Sequence, residues 1–586
     1  MFIAYHHDLA GSLTAVEVLK LFYYGVRMDA SFTGYICILP FLLFFISSVF
    51  PRFKSARILY VYTVALVILF SFLNVADLEL YTAWGFRMDA TPLQYFSNPA
   101  EMGATVSSAP VILLLLLWML SASVFIFIYK KYFYYYGQKQ VARVRFADVI
   151  ISLFLIAFLF IPIRGGIQKI PMNISDVYFS EKMFANHAAV NLPWNVMFSL
   201  LNRGEANNPF DYFTLPHAQE LVAELYESKD PQPRLVLNTD RPNIIVIILE
   251  SFTAKLVGCL GAEKGVTPQL DKIAAEGLLF TNIYAAGDRS EKGQIGILSA
   301  YPNQAITSII KTPTKTRALP SINQQLEQYG YQTSFTYGGE LEFANIKSYL
   351  LNTGFDQLTD KYDFPLSQRT TSWGVHDGYV FNKFYDELSH KKDPFFATLF
   401  TLSSHEPYDV PIHHFNGKDE TSQFKNSVYY TDSVLGKFIE QSKAAPWWNN
   451  TLIVLVADHG HPLPGHDAND RASKFHIPLI FAGGALEDTG RITKIGSQTD
   501  IVPTLLSQLH LPVDDFKWGK DLLDSASRSF AFYSFNNGFG IVTPSGAASF
   551  DNVSKKLIYK DPAFDTSLLK YGKAYMQFSY EDYLSR

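Results

Sequence analysis

The sequence predicts an α-helical transmembrane bundle followed by an α/β domain with a mainly parallel sheet. Four stretches in the first third are apolar enough to cross a bilayer as helices, which takes about 20 residues each. From Asn243 the pattern changes to short, continuous apolar runs alternating with helical segments, the signature of strands in a parallel sheet. The composition fits an uneven chain, with 48% hydrophobic and only 18% charged residues among 586, against about 25% charged in a soluble domain. That apolar load excludes intrinsic disorder. A net charge of −5 leaves no basic footprint, so nucleic acid is not an expected partner. Cys37 and Cys259 fall in segments of different character and make no disulfide framework.

The expected spans are residues 32–50, 58–81, 110–129 and 147–163, each nearly free of charge, with Asp77 near the end of the second. Buried core helices are the alternative, but four such runs in succession disfavour it. The first connecting loop carries Arg52, Lys54 and Arg57, and the third carries Lys130, Lys131, Lys139, Arg143 and Arg145. The second, residues 82–109, has only Arg87. By the positive-inside rule the first and third loops face the cytoplasm, and the polar remainder lies outside. This orientation also places Met1 outside. Residues 1–30 read as amphipathic rather than spanning, so an earlier span missing from this chain is expected.

Four regions are expected: a transmembrane region (1–165), a partly interfacial connector (166–242), an external catalytic domain (243–545) and a C-terminal tail packed on it (546–586). In the connector, Trp194, Met197 and Phe198 suit either the membrane interface or packing on the catalytic domain.

In the outer domain, residues 244–249 form a continuous apolar run, as a strand buried on both faces requires. Thr267 and Pro268 mark a helix start, with Thr267 at the cap and Pro268 at the first position. Further strands are expected at 333–337, 395–402, 452–457 and 479–481. Helices are expected at 321–328, 377–388, 425–442 and 501–509. Ligands of such sheets bind beyond the carboxyl ends of the strands.

Two of the strands end in acids. One runs into Glu250, the other into Asp458-His459-Gly460. A carboxylate directly after a buried strand is costly unless it is paired or binds a metal. Carboxylates with one imidazole suit Mn²⁺, Mg²⁺ or Zn²⁺. The alternative for each alone is a helix cap or a salt bridge. Ser290, in Gly287-Asp288-Arg289-Ser290-Glu291-Lys292-Gly293, stands at a helix start where a metal could activate its hydroxyl to attack phosphorus. The same helix end would help hold phosphate; by composition alone, a simple cap is the commoner role. His405, in Ser404-His405-Glu406-Pro407, follows another strand and could contact phosphate or protonate a leaving alkoxide. His461 and His466, near Asp458 in sequence, are weaker candidates, since such residues are more often surface or packing histidines, and His376 reads as structural.

Taken in order, Asn243–Glu250, Thr267-Pro268, Gly-x-Arg-Ser-x-x-Gly, Ser404-His405-x-Pro407 and Asp458-His459-Gly460 resemble the lipoteichoic acid synthase group. These are membrane sulfatase-like proteins of the alkaline phosphatase superfamily. The resemblance covers nearly the whole chain, and the motif set is specific where any one motif is weak. It implies a sulfatase/alkaline-phosphatase-like outer domain in a multi-pass protein of the bacterial inner membrane. It implies Ser290 as nucleophile, where relatives mostly carry threonine, and one Mn²⁺-type ion held by Glu250, Ser290, Asp458 and His459. His405 maps to a substrate-contacting histidine, and Arg289, Asn345 and Trp373 are the further expected substrate contacts.

The implied reaction moves a phosphoglycerol or phosphoethanolamine head group from a membrane phospholipid donor to a glycan or lipid acceptor through phospho-Ser290. Ser290 lacks the Cys/Ser-x-Pro-x-Arg context of formylglycine sulfatases, so sulfatase activity is not expected. The stretch from Tyr337 to Asn345 stands where Gram-positive polymer synthases keep a His and a Trp-Asn-Arg set. That departure favours a Gram-negative branch. A phosphodiesterase on the same scaffold and a non-catalytic sensor are the competing readings.

Overall fold

Thr14 starts the first long helix. Its hydroxyl accepts from the Glu17 N–H, while the Glu17 carboxylate accepts from the Thr14 N–H. The computed structural model describes the whole chain except residues 51, 85–86, 90–109, 136–145, 169–170, 181, 202–206, 229 and 393. Among the described residues, four helices are long and apolar enough to cross a membrane: α1 (Ala15–Val49), α2 (Ala56–Thr82), α3 (Val111–Tyr134) and α4 (Phe146–Arg164). The first begins well before the expected span, because the reciprocal cap at Thr14 and Glu17 extends it. At 35 residues it is roughly 52 Å long, beyond the ~30 Å a bilayer core needs. Most of the second loop, and Lys139, Arg143 and Arg145 of the third, lie outside the described residues.

The chain divides into two units, Met1–Ala206 and Asn207–Arg586, so the division falls inside the expected connector. In the first unit the buried Asp77 pairs with Arg87 at 2.8 Å and accepts from the Met88 N–H. Trp194 is buried there too. Its indole N–H donates to the Ser31 hydroxyl of α1 (3.3 Å), and its ring stacks on Phe198. It packs on a membrane-capable helix.

The second unit is built on an eight-stranded sheet of β1 (Asn243–Leu249), β2 (Leu278–Tyr284), β3 (Gln332–Tyr337), β4 (Gln357–Thr359), β5 (Phe395–Phe400), β6 (Thr451–Ala457), β7 (His476–Ala482) and β8 (Gly490–Ser497). Their order is β4-β3-β5-β1-β6-β7-β2-β8. Pairing is parallel except where β7 meets β6 and β2. Every residue of β1, β5 and β6 is buried, which is why these strands read as unbroken apolar runs. β1 lies between β5 and β6, with Ile248 opposite Phe400 and Leu249 opposite Ala457. The chain therefore leaves these three neighbouring strands at one edge of the sheet.

The helices that position the site are α5 (Pro268–Glu276), α6 (Ser290–Ser299), α7 (Asp377–Ser389), α8 (Glu420–Ser442) and α9 (Ile501–Gln508). Thr267 occupies the cap position of α5, but its side chain makes no cap bond. Asp432, from α8, accepts from the Gln269 and Leu270 N–H groups instead (2.9 and 2.7 Å).

A second, antiparallel sheet joins β9 (Ala531–Phe535), β10 (Gly538–Thr543), β11 (Gly546–Asp551) and β12 (Lys556–Lys560). It straddles the expected start of the tail at residue 546. The chain closes on α10 (Leu569–Ser585), whose Tyr575 stacks on Phe532 of β9 at 4.1 Å.

Candidate metal and nucleophile centre

Glu250 is the first residue beyond β1, and the turn there is tight. Ser251 has φ 58°, which points its backbone N–H at Asp458 Oδ1 (2.8 Å) and its hydroxyl at Glu250 Oε1 (2.8 Å). The Glu250 backbone is held from the β5 side: its N–H donates to Thr401 Oγ1 (2.8 Å), and its carbonyl accepts from Ser404 Oγ (2.6 Å). Asp458 and His459 follow β6. Gln498, just past β8, supports this turn by donating to the Ala457 and Asp458 carbonyls (2.8 and 2.6 Å).

Helix α6 brings in Ser290 as its first residue. Gly293, one turn on, lies so close to the Asp458 carbonyl that a Cβ there would sit 1.9 Å from the oxygen. The helix can approach only because this position has no side chain. As a result, Ser290 Oγ lies 3.1 Å from Glu250 Oε2 and 3.5 Å from His459 Nε2.

One oxygen or nitrogen each from Glu250, Asp458 and His459 lies within 4.8 Å of the others. His459 Nδ1 faces the Gly460 carbonyl at 2.7 Å, so Nδ1 carries the proton and Nε2 turns a lone pair toward the carboxylates. Burial, and then the Asp458 charge, push Glu250 well above the usual carboxylate range. For His459, burial opposes protonation, but the Asp458 and Glu250 charges outweigh it and raise the imidazole. Asp458 Oδ2 is buried with no hydrogen-bond partner, an expensive state for a carboxylate. Two buried carboxylates, a ring nitrogen and a hydroxyl with no cationic side chain bonded among them fit one divalent cation.

The other expected residues are placed as follows. His405 follows β5, and its Nδ1 donates to the Glu406 carbonyl (2.8 Å), leaving Nε2 available. Its ring meets Trp373 edge-on at 4.9 Å, and the Trp373 indole N–H donates to that same carbonyl. Arg289 is exposed at the cap of α6. Asn345 is buried, and its amide donates to the Ile310 carbonyl (3.3 Å). His461 is structural: it accepts from the Leu463 N–H and lies 3.3 Å from the Tyr408 hydroxyl, and burial lowers it to about 3. The sequence reading missed Ser251 and Gln498. Gln498 stands in a polar turn after a strand, the signal that exposed Asp458. Ser251 offered only its place beside Glu250.

Residues 242–511 match the Sulfatase family model. Among curated proteins, the chain is 26% identical over 343 residues to lipoteichoic acid synthase 1 of Bacillus subtilis, covering 53% of this chain and 52% of that protein. It is 27% identical over 269 residues to phosphoglycerol transferase I of Citrobacter koseri, covering 41% and 34%. The chain spans about half the length, or less, of these curated relatives. A crystal structure of an alkaline phosphatase superfamily protein from Vibrio parahaemolyticus superposes with a TM-score of 0.57 and 27% identity, covering 65% of this chain and 98% of that one.

Fold and site thus define the second unit as a sulfatase-type α/β domain. Its matches include lipoteichoic acid synthases and phosphoglycerol transferases, as the motifs implied.

Proposed function

We propose that the chain is a membrane-anchored, metal-dependent phosphotransferase, with Ser290 as nucleophile, that moves a phosphoglycerol group from a phospholipid to an acceptor hydroxyl outside the inner membrane. The observation that carries this reading is the placement of Ser290 Oγ at a helix start, 3.1 Å from Glu250 and 3.5 Å from His459. The names of the relatives favour phosphoglycerol over phosphoethanolamine. Four membrane-capable helices would keep the domain beside a lipid donor.

Glu250, Ser290, Asp458 and His459 would hold one divalent cation, with Mn²⁺ the favoured ion. Once bound, it lowers the pKa of the serine hydroxyl and offsets charge on the phosphoryl oxygens. Ser290 Oγ then attacks phosphorus, forming phosphoglyceryl-Ser290 and breaking the bond to the diacylglycerol oxygen. Protonated His405 gives its Nε2 proton to that oxygen. In the second half, neutral His405 takes the proton of the acceptor hydroxyl. The acceptor oxygen attacks phosphorus, and Ser290 leaves deprotonated, as it began. The N–H groups of the first turn of α6 face the phosphate throughout. Trp373 orients the His405 ring.

Intact-mass analysis of the full chain in detergent tests this, after incubation with phosphatidylglycerol or phosphatidylethanolamine and Mn²⁺ beside a Ser290→Ala control. A gain of one phosphoglycerol group, absent in the control, is expected. Free head group without adduct would indicate hydrolysis. Neither product, with cation bound, would defeat the proposal.

A further inference from the structure

Tyr337 is the last residue of β3 and is only 6% exposed. Its ring stacks on Phe400 of β5, with centroids 4.8 Å apart and planes 21° apart. A buried tyrosine ordinarily bonds its hydroxyl to a neighbour. Among the described residues the Tyr337 hydroxyl has no such bond. Nor is its oxygen sealed in, as that of Tyr301 is, so it opens on accessible space. Phenylalanine would serve the packing as well, and the hydroxyl calls for another account.

The phenol is aimed past the end of its strand. A Cβ on Gly339 would lie 2.4 Å from Tyr337 Cε1, 2.5 Å from Cζ and 2.7 Å from the hydroxyl oxygen. The ring therefore lies forward over Gly339, in space that only a glycine leaves. The backbone beneath it is pinned: the Gly338 carbonyl accepts from the Val375 N–H (2.9 Å), and the Gly339 carbonyl accepts from the Lys361 N–H (3.0 Å). Tyr337, Phe400 and Ile248 pair in one row across β3, β5 and β1, so their side chains share a face of the sheet. Two strand spacings, about 10 Å, separate Tyr337 from Ile248. Glu250 stands two residues beyond Ile248, where the pleat returns to that face.

The electrostatics agree with this placement. Burial, and then the Glu250 and Asp458 charges, hold the phenol well above its ordinary range. The hydroxyl thus feels both carboxylates of the centre and stays protonated. It is a donor and needs an acceptor. No hydrogen bond joins it to Glu250 or Asp458, whose bonds run to Ser251, Ser290 and the His459 N–H. The acceptor that remains at this centre is an oxygen of the bound ester, and an anionic phosphoryl oxygen accepts more strongly than a hydroxyl. A phenol this reluctant to ionise does not compete with His405 as the acid. Its work is to offset charge on phosphate.

We propose that Tyr337 is a further catalytic residue, its hydroxyl donating a hydrogen bond to a non-bridging phosphoryl oxygen of the substrate beside Ser290. That this phosphoryl group is being transferred rests on the transferase reading; the contact with phosphate does not.

The test is Tyr337→Phe in the full chain in detergent, which removes one oxygen and keeps the ring on Phe400. Inorganic phosphate is titrated calorimetrically into the Mn²⁺-loaded wild type and variant, and Mn²⁺ affinity, Tm and the lipid-dependent mass adduct are measured on the same preparations. The variant is expected to bind phosphate tenfold or more weakly and to form the adduct about 10²-fold more slowly. Its Mn²⁺ affinity and Tm should match wild type, which separates a lost substrate contact from a disturbed centre. Equal phosphate affinity in the two chains, or no phosphate binding by wild type, would overturn the proposal. So would a weakening accompanied by an equal loss of Mn²⁺ affinity or by a fall in Tm, since the hydroxyl would then act on the fold. Weaker phosphate binding in the variant, with no adduct from wild type, would keep the contact and remove the transferase reading. Adducts formed at equal rates would keep the transferase and remove Tyr337 from its chemistry.

Discussion

Asp432 caps a helix that is not its own. Its two carboxylate oxygens accept from Gln269 and Leu270, at the start of α5, across more than 160 residues of sequence. The cap docks α8 on α5 and leaves the Thr267 hydroxyl free to accept from the Gly258 N–H (3.2 Å).

Burial lifts Asp432 to about 7, against the pull of the two N–H donors. The folded chain therefore holds this proton more tightly than the unfolded one, whose carboxyl titrates near 3.8. Between these values the unfolded state has released the proton and the folded state has not, so stability falls as pH rises through the window. Asp432→Asn keeps an acceptor and removes the titration. Urea unfolding in detergent at pH 5 and pH 7.5 should show a larger loss for the wild type than for this variant. Equal losses would mean that Asp432 is ionised throughout.

Ser290→Thr keeps a hydroxyl at the head of α6 and should form the lipid adduct within about tenfold of the wild-type rate, whereas Ser290→Ala should lose 10³-fold or more. Single-turnover mass spectrometry separates them. An inactive threonine variant would mean that the pocket at Ser290, which is only 8% exposed, cannot take one more methyl group.

Asp458 Oδ2 is buried without a hydrogen bond, so without cation this carboxylate carries a desolvation cost. Adding Mn²⁺ at a hundred times its Kd should stabilise the wild type by about 2.7 kcal/mol. Asp458→Asn should lose that response yet be more stable than wild type in EDTA, by about 1–3 kcal/mol. Thermal unfolding with and without Mn²⁺ reads both effects. A variant less stable than wild type in EDTA would contradict this account of the centre.

Gly293→Ala sets a methyl group 1.9 Å from the Asp458 carbonyl, where only backbone movement relieves the clash. A loss of about 1–3 kcal/mol or more is expected, together with a weaker Mn²⁺ response, because α6 must back away and take Ser290 with it. A Tm and Mn²⁺ response matching wild type would show that α6 is not held this closely.

Much of the centre was legible because β1 and β6 are buried on both faces. Their apolar runs end abruptly in Glu250 and Asp458, and the contrast marks the site. The outer strands gave no such contrast. β12 alternates between exposed and half-buried residues, and nothing in its five residues stands out. α10 was missed for another reason. Its inward face is made of Tyr571, Tyr575, Tyr580 and Tyr583, a helical spacing written in a residue that reads as polar. Its stacking on β9 turns that spacing into core. Asp432 was out of reach altogether, since a cap supplied by a distant helix leaves no local trace. So was the contact of Trp373 with His405, which depends on two loops meeting.

The bond from Ser251 to Asp458 closes a stretch of 207 residues. Closing a chain of that length costs about 5 kcal/mol in entropy, and the buried pairing of β1 with β6 offsets it. The centre therefore cannot form until the segments that end in Glu250 and Asp458 have been brought side by side. During synthesis, Glu250 and Ser290 exist well before Asp458 and His459, so an unfinished chain has only half a seat for a cation. An ion met early finds no lasting hold. The finished sheet, not the order in which metals are encountered, decides when the centre can first fill.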